Sequence, residues 1–187
     1  MSRPIVLIAA LALLVGGCSD SQPATTAAAP PAATLTDLGP AAPELEALLP
    51  DRVGNVRLTK ASTTGEEVFR GNAFGDEMSK FLATVGKEPG DLRFANAVDT
   101  SEAAKLELGV WEVPGVAPAD LREAIVTASR PNAPGLEVSP GTLGGKQVTK
   151  VVYPGGSTLY LVDGSGVVFY VGSTDEALAA KALALLP

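Results

Sequence analysis

The sequence predicts an α+β fold, an antiparallel sheet with helices packed mainly on one face, and three observations carry that prediction. Several short runs alternate apolar and polar residues with period two, others repeat at the helical period, and the two kinds follow one another as strand, strand, helix about three times. Consecutive strands joined by tight turns pair antiparallel, and helices returning to the same side cover one face. At 187 residues, 46% hydrophobic and 19% charged, the chain suffices for one sizeable core and not for several.

The elements follow in order. Glu44 to Leu49 reads as a short apolar helix stopped by Pro50. Arg57 to Ala61 and Glu66 to Arg70 read as strands around Thr64-Gly65. Met78, Phe81, Leu82 and Val85 fall at i, i+3, i+4 and i+7, with Asp76 and Glu77 in the first turn and Gly86 as a stop, so an amphipathic helix is expected there. Leu92 to Val98 and Lys105 to Val113 are the next strands, the second alternating Leu106, Leu108 and Val110 against Lys105, Glu107 and Gly109. Pro118 suits a first helical position, and Leu121, Ala124, Ile125 and Ala128 then share one stripe. Beyond the Pro/Gly-rich stretch Pro131 to Gly135, an edge strand Leu136 to Ser139 precedes a strand Lys146 to Tyr153. A hairpin of Thr158 to Val162 and Val167 to Val171 turns through Asp163-Gly164-Ser165-Gly166. Ser173 with Glu176 reads as a capping box opening the last helix, Ala177 to Leu186. Gly54 to Lys60 and Gly144 to Lys150 share Gly-x-x-x-(Leu/Val)-Thr-Lys, a short echo compatible with a repeat or with coincidence.

The N-terminus carries an address. Met1-Ser2-Arg3-Pro4 is a cationic head, and Ile5 to Val15 is an unbroken apolar run of export-signal length, short of the roughly 20 residues that span a bilayer. Leu14-Val15-Gly16-Gly17-Cys18 resembles the bacterial lipobox, an aliphatic residue and two small ones before a cysteine. That resemblance implies a lipoprotein signal peptide over residues 1–17, cleavage before Cys18, and a diacylglycerol on the Cys18 sulfur. The implied location is the cell envelope, with the protein held on the membrane by acyl chains and facing away from the cytoplasm. Residues 18–43 form an Ala/Pro/Thr-rich stretch without a basic residue, read as a disordered tether with a root-mean-square reach of roughly 25 to 30 Å. Residues 44–187 are then a single globular domain.

Composition removes whole classes of function. Net charge is −7, and loss of the leader with Arg3 takes it to −8, so no nucleic-acid partner is expected. The chain contains no histidine, and its one cysteine is Cys18; histidine metal sites, Ser-His-Asp triads, Cys-His dyads and internal disulfides are all excluded. Gly141 to Lys146 looks at first like a phosphate loop, but Pro140 stands where its first glycine belongs and Gln147 where Ser or Thr must bind the metal. A turn into a strand is the simpler reading. No cofactor and no metal are expected.

The exported part resembles a group of uncharacterised bacterial secreted or lipid-anchored domains. The likeness rests on the Leu-x-Ala-Leu-Leu-Pro-Asp start at Leu45 to Asp51, a Leu-Thr-Lys strand and a final Ala/Leu-rich helix ending in proline. It implies an envelope location and no particular activity. Pairing the last hairpin with Val162 opposite Val167 places Tyr160, Phe169, Val171 and Thr158 on one face and Leu159, Leu161, Val168 and Tyr170 on the other, both apolar. Trp111, Tyr160, Phe169 and Tyr170 are therefore candidates for an interaction face toward an envelope protein or lipidic partner, with core burial as the alternative. The expected function is a non-catalytic, lipid-anchored binding module. The alternatives are a structural spacer domain without ligand and an envelope hydrolase using two carboxylates, for which Glu66-Glu67 and Asp76-Glu77 are the obvious pairs.

Overall fold

Alternating runs joined by tight turns build the sheet, and a computed structural model describes them over residues 41–101 and 104–187. Cys18, the leader and the tether up to residue 40 lie outside the described residues. The order is α1 (Pro43–Glu46), the short strands β1 (Arg52–Val53) and β2 (Val56–Arg57), β3 (Thr59–Thr64), α2 (Gly65–Val68), α3 (Ala73–Thr84), β4 (Arg93–Val98), β5 (Glu107–Glu112), α4 (Pro118–Ser129), β6 (Glu137–Leu143), β7 (Lys146–Val152), β8 (Thr158–Asp163), β9 (Val168–Gly172) and α5 (Glu176–Leu185). Seven strands form one antiparallel sheet in the order β3-β4-β5-β9-β8-β7-β6, while β1 and β2 pair separately. The α+β class holds, and β6 is an edge strand as expected. The third unit has the four strands read for it before its helix.

The helices correct the one-sided layering. The two twelve-residue helices α3 and α4 do share a face, with Met78, Leu82, Leu121 and Ile125 buried on Trp111, Leu161, Val168 and Tyr170. The opposite face is covered too, by Leu45 of α1 and Leu49 just beyond it, and by Ala179, Ala182 and Leu183 of α5, which pack on Leu108, Val110, Tyr160, Phe169 and Val171. Both sides of β8 and β9 are apolar, so an uncovered side would expose a continuous apolar patch. The two ends of the described chain supply the missing layer. Arg93 fastens α1 there by pairing with Glu44 and with Glu112 on β5.

Three local expectations change. Glu66 to Arg70 is not a strand: Gly65 opens α2, its N–H donating to the Leu92 carbonyl at 2.9 Å and its own carbonyl accepting from Phe69 N–H at 2.8 Å. The hairpin register differs by two residues, with Val162 opposite Phe169 rather than Val167, because Gly164 N–H closes the turn on the Val167 carbonyl at 2.8 Å. A two-residue slip preserves side-chain parity, so the assignment of faces survives. Asp175, not Ser173, caps α5, its Oδ1 accepting from Ala177 and Leu178 N–H, while Ser173 Oγ accepts from Asp175 N–H.

The echo has a structural counterpart. Gly54 and Gly144 both turn at φ +59°, a left-handed conformation that costs a side-chain-bearing residue more. The following Leu58 and Val148 are buried in the same layer. The would-be phosphate loop is thus the Gly144-Gly145 turn between β6 and β7.

At the start of α3, Asn72 Oδ1 accepts from Gly75 N–H at 2.7 Å while its Nδ2 donates to the Val68 carbonyl at 2.8 Å. One side chain therefore caps α3 and ties it to α2. Asn72→Ala is expected to cost about 1 to 2 kcal/mol in urea unfolding, and a change within a few tenths would contradict this role. At the other end of α3, Lys87 N–H and Gly86 N–H donate to the carbonyls of Leu82 and Ala83, a Schellman arrangement at the stop expected of Gly86.

Candidate functional site

The four aromatic residues expected to present an interaction face do not form one. Trp111, Tyr160, Phe169 and Tyr170 are 7%, 4%, 1% and 6% exposed, and the sheet separates Trp111 and Tyr170 from Tyr160 and Phe169. Helices on both sides take up the surface that the hairpin alone would have left open. Core burial is the reading the structure supports.

That core contains a tightly fitted polar pair. Tyr170 stands opposite Gly109, lays its ring across it, and donates its hydroxyl to Glu107 Oε1 at 2.6 Å. Phe94 stacks parallel to the Tyr170 ring at 6.2 Å, and Trp111 lies 4.3 Å from Phe94, with Phe74 and Phe69 extending the chain of rings. Burial pushes the Tyr170 hydroxyl well above its usual range, and the Glu107 carboxylate beside it adds to the shift. Burial also pushes Glu107 up, partly offset by the bond from Tyr170. Tyr170 is buried and Glu107 half-buried, and the bond between them fixes the tyrosine ring over Gly109.

The acidic pairs weighed for hydrolysis are placed by helix starts. Glu66 and Glu67 occupy the first turn of α2, where Glu67 accepts from the Thr63 hydroxyl. Asp76 lies in the first turn of α3, and Glu77 is bound by Lys80 at 2.6 Å, a bond that raises the lysine's pKa. Among the described residues no cluster of three or more His, Cys, Asp or Glu could hold a metal ion, and no helix is long and apolar enough to cross a membrane.

Two surface depressions stand out among the described residues, a shallow one of about 390 Å³ beside Glu66, Phe69, Arg70 and Pro89 and another between α3 and α4. The apolar stripe of α3 is wider than the sheet needs: Met78 and Leu82 are fully buried, whereas Phe81 and Val85, about 60° around the helix, look sideways toward α4. On α4, Leu121 and Ile125 reach the core while Ala124 is half-buried. Phe81, Val85, Ala124 and Ala128 thereby line a groove of about 310 Å³, with Glu77, Asp120, Glu123 and Thr127 also around it. Val85 is 39% exposed, one of three large apolar side chains on the described surface with that much exposure.

No family model, curated protein or solved structure matches the chain significantly. The groove is therefore read from its own residues. It offers shape and apolar contact with carboxylates at its sides, suited to holding a side chain or short segment. The i, i+3, i+4, i+7 pattern of α3 contained the signal, since Phe81 and Val85 were legible as apolar; their partition between core and groove was not. Cys18, the expected lipidation site, lies outside the described residues.

Proposed function

We propose that this chain is a lipid-anchored lipoprotein of the cell envelope, moored through acyl chains on Cys18 and carrying a non-catalytic binding module on a tether. The support for mooring is the cationic head, the apolar run and the Leu-Val-Gly-Gly-Cys sequence, followed by a stretch whose composition suits a spacer. The observation that carries the binding role is the α3–α4 groove with Phe81 and Val85 in its lining. It takes over the role first expected of the buried aromatic residues. A spacer domain without ligand is the second reading, favoured by the burial of Trp111, Tyr160, Phe169 and Tyr170.

One experiment addresses both halves. In cells, Cys18→Ser is expected to abolish incorporation of labelled fatty acid and to leave the leader uncleaved by mass; unchanged labelling, or an unchanged cleavage, would end the lipoprotein reading. In the anchored protein, a photo-crosslinking side chain at Val85 is expected to give a discrete adduct that the same group at Leu185, exposed on α5, does not give. Equal labelling at the two positions, or none, would leave the spacer reading in its place.

A further inference from the structure

The geometry points to a cationic amphipathic segment of a partner protein as the occupant of the α3–α4 groove, its apolar side chains on Phe81, Val85, Ala124 and Ala128 and its Lys or Arg side chains toward Asp120 and Glu123. This deepens the binding-module reading and rests on it.

Three observations support that choice. The groove's charge is one-sided where it matters. Lys80 neutralises Glu77, but Arg122, the basic residue between the two α4 acids, is drawn to Asp163 of β8 at 2.9 Å, and no ion pair joins Asp120 or Glu123 to a described cation. Asp120 has a sufficient reason in the first turn of α4, where it favours the helix dipole. Glu123 lies beyond that turn and has no such reason. The acids also argue against a bilayer, because anionic headgroups would be repelled by them. From Glu77 to Thr84 the α3 side of the groove runs for about 10 Å, roughly two helical turns, so it takes one or two apolar anchors of a short segment. Charge at such a groove contributes mostly to selection and to rate of encounter, and the apolar lining holds the segment.

The test uses a chain from residue 18 onward with Cys18→Ser, which contains the whole compact unit Gly39–Pro187. Backbone-amide NMR shifts are followed while adding a Lys/Leu peptide patterned as a two-turn amphipathic helix, its Glu/Leu counterpart, or phosphatidylglycerol vesicles. The Lys/Leu peptide is expected to move amides around Phe81, Val85, Ala124 and Ala128. Asp120→Lys with Glu123→Lys should weaken that binding at least about tenfold and transfer preference to the Glu/Leu peptide. Glu46→Lys with Glu137→Lys, on α1 and β6, changes net charge equally and should leave affinity within about twofold. Equal weakening by the two double variants, shifts located elsewhere, or vesicle binding at the groove would overturn the assignment. If the Val85 adduct persists while the Asp120/Glu123 reversal has no effect, the partner's chemistry is wrong and the binding module stands; if the adduct is missing, that module itself falls.

Discussion

Replacing Gly109 with alanine is expected to lower the stability of the domain by about 3 kcal/mol, a large effect for a single methyl group. A Cβ at this position would lie 2.1 Å from Tyr170 Cε1, 2.5 Å from Cζ and 2.8 Å from the hydroxyl oxygen, well inside contact distance. The ring has little room to retreat, because it stacks on Phe94 and its hydroxyl is fixed on Glu107. Forcing it aside combines overpacking, at about 1 to 3 kcal/mol, with loss of a buried hydrogen bond, at about 1 to 3 kcal/mol. Urea unfolding followed by Trp111 fluorescence measures the loss. A double-mutant cycle isolates the cause: in a Tyr170→Ala background the added methyl meets no ring, and Gly109→Ala should become nearly neutral. The same cost in both backgrounds would refute the fit between glycine and tyrosine.

The Tyr170–Glu107 pair should also govern how stability responds to alkali. Tyr170 titrates well above the ordinary tyrosine value of about 10 in the folded state, so its contribution is fully present below that value and is lost as pH rises through the folded one. Wild-type protein is expected to lose stability steeply above about pH 10, and Tyr170→Phe should flatten that limb while lowering stability at neutral pH, since Glu107 then loses its buried donor. Glu107 has the same sign at lower pH: its raised folded value means stability is fully present below about pH 4.3 and falls as pH rises through the folded value. Glu107→Gln keeps an acceptor for the Tyr170 hydroxyl and removes this decline. Asp99 acts oppositely, its carboxyl held low by the Ser101 hydroxyl and the Ala104 N–H, so its contribution is present above about pH 3.9 and is lost as pH falls through the folded value. Denaturant midpoints from pH 3 to 11 for the parent and the two single variants would expose an error in either sign.

The elements that read correctly are those whose pattern is written in consecutive residues. Leu106, Leu108 and Val110 alternate because successive side chains on a strand point to opposite faces, and Met78 with Leu82 shares a helix side because four residues make slightly more than one turn. Parity explains why Tyr160 and Phe169 were assigned to one face and Leu161 and Tyr170 to the other even though the hairpin register was two residues off. Glu66 to Arg70 misled because a short segment fits either period, and its choice of helix was made by Gly65 docking on the Leu92 carbonyl, far away in sequence.

The sequence by itself determined the α+β class and the two-faced apolar hairpin, since each depends on residues close together along the chain. Only the tertiary structure decided that Trp111, Tyr160, Phe169 and Tyr170 are core and that Phe81, Val85 and Ala124 line the open groove. The physical reason is that alternation tells a side chain which way to point, whereas burial depends on what arrives there. Here the arrivals are Leu45 and Leu183, from opposite ends of the domain, meeting on one side of the sheet.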